Sequence, residues 1–185
     1  MRIVGGTFRG RNLAGPAGTQ TRPTSDRVRE AIFNILAHNT DVPDLAGARV
    51  MDLFAGTGAM GLEALSRGAR FCQFVDDAGE ARGVIRKNAD TLGVVGLCKI
   101  WRRDATQLGD CAPQTPYDIV FCDPPYGRQC GEASLRALVD GGWLAAQAVV
   151  VLEEGADATV EPVPGLSCFD QRQYGETQAL FFKVG

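Results

Sequence analysis

Arg49-Val50-Met51-Asp52-Leu53-Phe54 runs directly into Ala55-Gly56-Thr57-Gly58-Ala59-Met60-Gly61, and this junction sets the architecture of the chain. The first six residues read as a strand. The glycines then fall as G-x-G-x-x-G, and a helix is expected from Ala59 to Arg67 with Gly68 as its stop. Downstream the same alternation recurs. Phe71 to Val75 reads as a strand, about Gly79 to Leu92 as a helix, Lys99 to Arg102 and Tyr117 to Cys122 as strands, about Glu132 to Asp140 as a helix, and Ala148 to Leu152 as a strongly apolar strand. Leu166 to Gln173 and Thr177 to Val184, separated by Tyr174-Gly175-Glu176, predict a terminal antiparallel hairpin. Strands alternating with helices imply an α/β fold with a mainly parallel sheet covered on both faces. In such a sheet the ligand lies beyond the carboxyl ends of the strands, where strand order reverses.

Upstream of the junction the chain has a different character. Arg2 to Gly18 is rich in Gly and Arg and reads as a hairpin or loose arm, and Thr24-Ser25-Asp26 can cap a helix with Val28, Ile32, Ile35 and Leu36 on one face. Residues 1–46 are therefore expected to form a basic arm and helix, an extension rather than an independent domain, and residues 47–185 the main domain. Net charge is −3 and the sequence pI about 5.2, which by itself disfavours a polyanionic partner. The average hides an asymmetry: residues 1–29 hold six arginines against Asp26 alone, a net +5, which leaves −8 on the rest. Arg9, Arg11, Arg22, Arg27 and Arg29 are candidate contacts to nucleic-acid phosphates, with the arm's glycines letting its backbone lie close to them. On a helix, Arg27 and Arg29 have an alternative in pairing with Asp26 or Glu30.

At 185 residues, 45% hydrophobic and 22% charged, the chain has the composition of one ordinary globular domain. No run approaches eighteen apolar residues and the first residues lack a signal-peptide pattern, so a cytoplasmic protein without a membrane partner is expected, as a monomer. The six cysteines are scattered with no C-x-x-C pair, which predicts reduced packing residues rather than zinc or disulfides, and no metal site is expected. The one histidine, His38, reads as a helix-terminal surface residue. Chemistry here has to run without a Ser-His pair or a histidine base.

The glycine turn fits a nucleotide-containing ligand, with Asp76, twenty residues after Gly56, able to bind ribose hydroxyls. Asp52, read as part of the ligand-facing turn, repels a pyrophosphate but suits the ammonium and sulfonium of S-adenosylmethionine. Asp123-Pro124-Pro125-Tyr126, after the strand ending at Cys122, narrows the chemistry. An exocyclic base nitrogen is a poor nucleophile because its lone pair is delocalised. Acceptors aimed at its hydrogens, the Asp123 carboxylate and the Pro124 carbonyl, draw that lone pair out of conjugation. The two prolines fix the direction of the carbonyl, and Tyr126 offers a ring on which the base stacks, worth about 1–3 kcal/mol. Methyl transfer from a sulfonium is downhill, so positioning supplies the rate. Asp104-Ala105, after the third strand, is a candidate for the cofactor's adenine amino group or, equally, an acidic cap.

Taken together, Arg2 to Gly6 with Arg9-Gly10-Arg11, Arg22-Pro23-Thr24, Asp26 to Glu30 with Phe33-Asn34, Asp52 to Gly68, and Asp123 to Tyr126 resemble the RsmD family, bacterial 16S rRNA guanine-N2 methyltransferases. The resemblance implies a Rossmann-like, seven-stranded class I S-adenosylmethionine-dependent methyltransferase fold. It implies cofactor contacts at Asp52, Gly56, Gly58 and Asp76, with Phe54 and Thr57 in the same turn, and substrate-amine contacts at Asp123 and Pro124. The implied partner is ribosomal RNA or a small-subunit ribosomal particle. Members often carry a second acid at the position of Ala78; here Asp77 precedes it, which leaves the ribose acid open between Asp76 and Asp77. A DNA adenine-N6 or cytosine-N4 methyltransferase would use the same D-P-P-Y chemistry, though this chain has little room for a sequence-reading region. A glutamine methyltransferase would be expected to carry Asn at position 123. A non-enzymatic RNA-binding module with a vestigial pocket, and a nicotinamide oxidoreductase, remain the readings from other classes.

Overall fold

The computed structural model describes residues 1–15 and 25–185. Its elements are α1 (Asp26–His38), β1 (Arg49–Leu53), α2 (Ala59–Ser66), β2 (Phe71–Val75), α3 (Gly79–Leu92), β3 (Cys98–Trp101), β4 (Tyr117–Cys122), α4 (Cys130–Asp140), β5 (Leu144–Gly155), β6 (Leu166–Tyr174) and β7 (Thr177–Val184). The seven strands form one sheet in the order β3-β2-β1-β4-β5-β7-β6. The pairs from β3 through β5 are parallel, and β7 is antiparallel to both β5 and β6. The sheet is the expected one: mostly parallel, with a C-terminal antiparallel hairpin.

Side chains alternate across the strands with period two and feed two cores. Val50, Ile119, Phe121, Val149 and Val151 face one layer, where Ile32, Phe33 and Leu36 of α1, Leu62 of α2 and Ile85 of α3 cover them. Met51, Leu53, Val120, Cys122, Val150 and Leu152 face the other, under Leu135 and Leu138 of α4 and the fully buried Trp143. At about 25 cal/mol per Å² of apolar surface, these strands buried on both faces supply most of the driving force for the sheet. Cys72, Cys111 and Cys122 are packing residues in these layers, while Cys168 is exposed; all six cysteines are free.

Local signals set the helix ends. Ser25 Oγ accepts the Val28 N–H at 3.2 Å and caps α1, and Gly93, at φ +72°, stops α3. Exposed His38 ends α1, its Nδ1 2.8 Å from the Asn34 carbonyl. Two elements exceed their sequence expectations by two residues or more. β5 begins at Leu144 rather than Ala148 because it pairs with Tyr117 across an irregularity in β4, and it reaches Gly155 because β7 pairs with it to Thr177. α4 begins at Cys130, two residues early.

The arm is not loose. Arg2 and Asn12 form a β-bridge, Ile3 is fully buried, and the chain lies against α2. Ile3 and Leu13 belong to the same core as α1 and α2, so residues 1–15 have no core of their own. Among the described residues no helix is long and apolar enough to cross a membrane.

Candidate cofactor and substrate site

The chain leaves β1 for β2 on one side, while β4 lies on the other. This makes the carboxyl ends of β1 and β4 the point where strand order reverses. The loops after these two strands are the glycine turn and Asp123 to Tyr126, and they meet: the Asp123 N–H donates to the Leu53 carbonyl at 3.4 Å.

In the glycine turn, Phe54, Gly56 and Gly58 all take left-handed backbone, at φ +56°, +54° and +76°. For Phe54 this is a strained conformation, of the kind that clusters at ligand sites. The glycines divide the work. A Cβ on Gly56 would meet only the Phe54 carbonyl, at 3.9 Å, so its open side is free for a ligand. A Cβ on Gly58 would press on Phe74 and Ile85 at 3.2 Å, and one on Gly61 would overlap the Phe74 ring and Cys72 Sγ. Gly58 and Gly61 thus bring α2 onto β2, and Gly56 opens the turn.

Asp76 ties this turn to β2. Its Oδ2 accepts the Gly56 N–H at 2.9 Å and its Oδ1 accepts the Ala78 N–H at 2.9 Å. Asp77 is exposed, and its carbonyl accepts from Arg82 Nη1 at 2.7 Å. Of the two acids, Asp76 is the one at the glycine turn. Asp52 corrects the sequence reading: it is not in the turn but inside β1, 3% exposed, with Oδ2 accepting the Gly61 N–H at 2.9 Å. Burial raises its pKa to about 8 against the opposing Gly61 hydrogen bond, and the charge of Asp76 adds to the rise. Exposed Asp104 accepts the N–H and hydroxyl of Thr106, at 2.8 and 2.7 Å, capping a turn in which Ala105 is buried.

Pro124 is buried behind half-buried Asp123, while Pro125 and Tyr126 are exposed. The Tyr126 hydroxyl donates to Glu153 Oε1 at 3.2 Å, leaving the residue 42% exposed. Burial, then the charges of Glu153 and Asp123, push the phenol far above its ordinary range, so it stays protonated. Glu153, 7% exposed at the end of β5, was not found from sequence. The available signal was two acids, Glu153-Glu154, closing an otherwise apolar strand.

The basic residues separate into two groups. Arg9, Arg11 and Arg27 are exposed, and Arg9 and Arg27 line a cavity of about 350 Å³ with Arg2, Asp26 and Glu30. Arg22 lies outside the described residues. Arg29 is a correction: it is fully buried, pairs with Asp26 at 2.8 Å and with Glu63 at 3.5 Å, and donates to the Arg2 carbonyl, so no surface remains for a phosphate. Glu63 is the hub that sequence reasoning missed. Fully buried on α2, it accepts the N–H groups of Val4 and Gly5 at 2.8 and 2.7 Å and pairs with Arg67 at 2.9 Å. A Cβ on Gly5 would overlap the Arg67 guanidinium, and one on Gly6 the Ser66 carbonyl. These two glycines therefore serve docking of the arm on α2 rather than approach to phosphates; Gly10, at φ +84°, has open space.

The sequence matches the family described as Conserved hypothetical protein 95 over residues 1–183. It is 38% identical to Ribosomal RNA small subunit methyltransferase D of Escherichia coli K12, over 89% of this chain and 79% of that protein. It is 36% identical to YlbH of Bacillus subtilis over 99% and 98% of the two chains. Among solved structures, the Escherichia coli protein yhhF superposes with a TM-score of 0.84 at 35% identity, covering 100% of this chain and 97% of that one.

Proposed function

The chain belongs to the Conserved hypothetical protein 95 family, the RsmD family, and from that premise we propose that it transfers a methyl group from S-adenosylmethionine to the exocyclic N2 of a guanine in small-subunit ribosomal RNA. The observation that carries this reading is the meeting of two loops at the strand-order reversal. One is the glycine turn tied to Asp76; the other is Asp123-Pro124-Pro125-Tyr126.

The residues present fit the cofactor. Gly56 leaves open space where a side chain would stand, and the Asp76 carboxylate is fixed at that turn in reach of a ribose. Asp52 lies behind the turn as the carboxyl that a cationic amino-acid moiety would stabilise in its charged form. When bound, S-adenosylmethionine supplies an electrophilic methyl group on a sulfonium. The chain's own work is then orientation. Asp123 and the Pro124 carbonyl accept the two amino hydrogens and turn the nitrogen lone pair toward the methyl. Buried Pro124 keeps that carbonyl's direction fixed, and Tyr126 stacks the base with its ring held at one edge by Glu153. The exposed Arg9, Arg11 and Arg27 hold phosphates of the RNA, separately from base choice.

Incubation with labelled S-adenosylmethionine and unmodified small-subunit RNA or particles, followed by nucleoside analysis, tests the proposal. N2-methylguanosine is expected. Label in adenine or cytosine, or none in RNA, would overturn it.

A further inference from the structure

Asn88 belongs to none of the sequence motifs, yet it lies on α3 with 1% of its surface exposed. Its Oδ1 accepts the Ala14 N–H at 2.7 Å, and its Nδ2 donates to the Ala14 carbonyl at 3.1 Å and to the Thr57 carbonyl at 3.0 Å. An amide is suited to this task because it offers an acceptor and two donors on one rigid plane. Thr57 is the middle residue of Gly56-Thr57-Gly58, between two left-handed glycines. The other strand of the arm reaches the same residue. The Thr57 hydroxyl lies 3.6 Å from Met1 Sδ, and the Met1 carbonyl accepts the Leu13 N–H at 3.1 Å. Both ends of the arm segment thus close on the middle of the glycine turn, and Asn88 is the side chain that joins them.

We propose that Asn88 is a positioning residue through which docking of the arm and the shape of the glycine turn depend on each other, so that RNA held by the arm and S-adenosylmethionine held by the turn strengthen each other's binding. The inference rests on the function proposed above. Arm and turn share hydrogen bonds to one buried amide, so whatever fixes the arm also fixes the Thr57 carbonyl. A coupling of this kind is reciprocal: each ligand changes the other's affinity by the same factor.

The test measures the affinity for S-adenosylhomocysteine with and without unmodified small-subunit RNA, and for the RNA with and without S-adenosylhomocysteine. In the wild type each ligand is expected to raise the other's affinity by one common factor, about fivefold or more. Asn88→Asp keeps the size and the acceptor for Ala14 but as a carboxylate loses both donors, and should weaken S-adenosylhomocysteine binding about tenfold, the scale of one neutral hydrogen bond, while the coupling factor falls to about one. Ala14→Pro removes only the arm's donor. It should leave S-adenosylhomocysteine affinity without RNA within about twofold and lower the coupling factor, with the carbonyl at position 14 still accepting from Asn88 Nδ2. If Asn88→Asp does not fold, Ala14→Pro decides alone. No coupling in the wild type, or an undiminished coupling factor in either folded variant, overturns the role of Asn88. A wild type that binds neither ligand overturns the functional proposal and this one with it.

Discussion

A carboxyl group at 3% exposure with one backbone N–H donated to it, as Asp52 is, titrates far from an exposed aspartate. Its pKa in the folded protein is about 8, above the ordinary 3.8, so the folded state holds a proton that the unfolded chain has released. The stability this group contributes is full below about pH 4 and is lost as pH rises through about 8. Asp52→Asn keeps an acceptor for Gly61 and cannot ionise. Without cofactor, its melting temperature should match the wild type near pH 4 and exceed it at pH 9; a constant gap across that range would refute the assignment. Binding a cationic cofactor favours the carboxylate, so calorimetry near pH 7 should register proton release in the wild type and less in Asp52→Asn. In the proposed mechanism Asp123 serves the substrate rather than the cofactor. Asp123→Ala should cut turnover at least about a hundredfold, the scale of losing one preorganised polar partner. S-adenosylmethionine affinity should stay within a few-fold, and a variant that keeps most of its turnover would remove Asp123 from the mechanism.

The junction from β1 into α2 contains two glycine requirements that a motif treats as one. Gly61→Ala forces a methyl group to within 2.5 Å of Cys72 Sγ and into the Phe74 ring, both fully buried side chains of β2. Overpacking of this kind costs about 1–3 kcal/mol, or roughly 2–4 °C of melting temperature per kcal/mol in a chain of this length. Gly56→Ala meets no neighbour but must hold φ +54°, which costs about 1–2 kcal/mol and fills the open side of the turn. Thermal melts and cofactor titrations of the pair should separate them: Gly61→Ala loses mainly stability, Gly56→Ala mainly cofactor affinity. Equal losses of both kinds in both variants would mean that the glycines are not divided in this way. The turn, the strands around it and Asp123 to Tyr126 were legible in the sequence because each is specified by its neighbours: apolar runs, glycine punctuation, a proline pair. Glu63, Asn88 and Glu153 were not, because the contacts that tie Glu63 and Asn88 to the arm lie 58 to 59 and 74 residues away and the Tyr126 contact of Glu153 lies 27 away; the local Glu63–Arg67 pair says nothing of the arm. A fully buried helix such as Ala59–Ser66, with one glutamate inside it, carried a hint that something charged must meet that residue. It did not say what. Asp52 was misread for a related reason: whether a strand's penultimate residue faces the ligand or the adjoining helix depends on where the sheet ends.

A net +5 on residues 1–29 suggests a cationic arm, but folding removes part of that charge from the surface. Arg29 neutralises Asp26 and Glu63 beneath the arm, whereas Arg9 and Arg11 remain exposed. The arginines should therefore fail differently when replaced. Arg29→Met breaks a buried ion pair and leaves Glu63 to Arg67 and two backbone donors, a loss of about 3 kcal/mol. A fall in melting temperature of about 6–12 °C follows for a domain of this size, and RNA binding by the fraction still folded should be little changed. Replacing Arg9 and Arg11 together by Ala touches no buried group, so stability should stay within about 0.5 kcal/mol. RNA affinity should fall, and its dependence on salt should flatten by up to two phosphate contacts, each worth about 0.7 in the slope of log K against log salt for single strands. The acidic remainder of the chain cannot replace them, since its −8 repels the same phosphates. If the double variant binds RNA as the wild type does at several salt concentrations, the arm's exposed arginines are not the RNA contacts. The substrate would then have to be held by Arg27 and the cavity beside it, or be presented on the surface of a ribosomal particle.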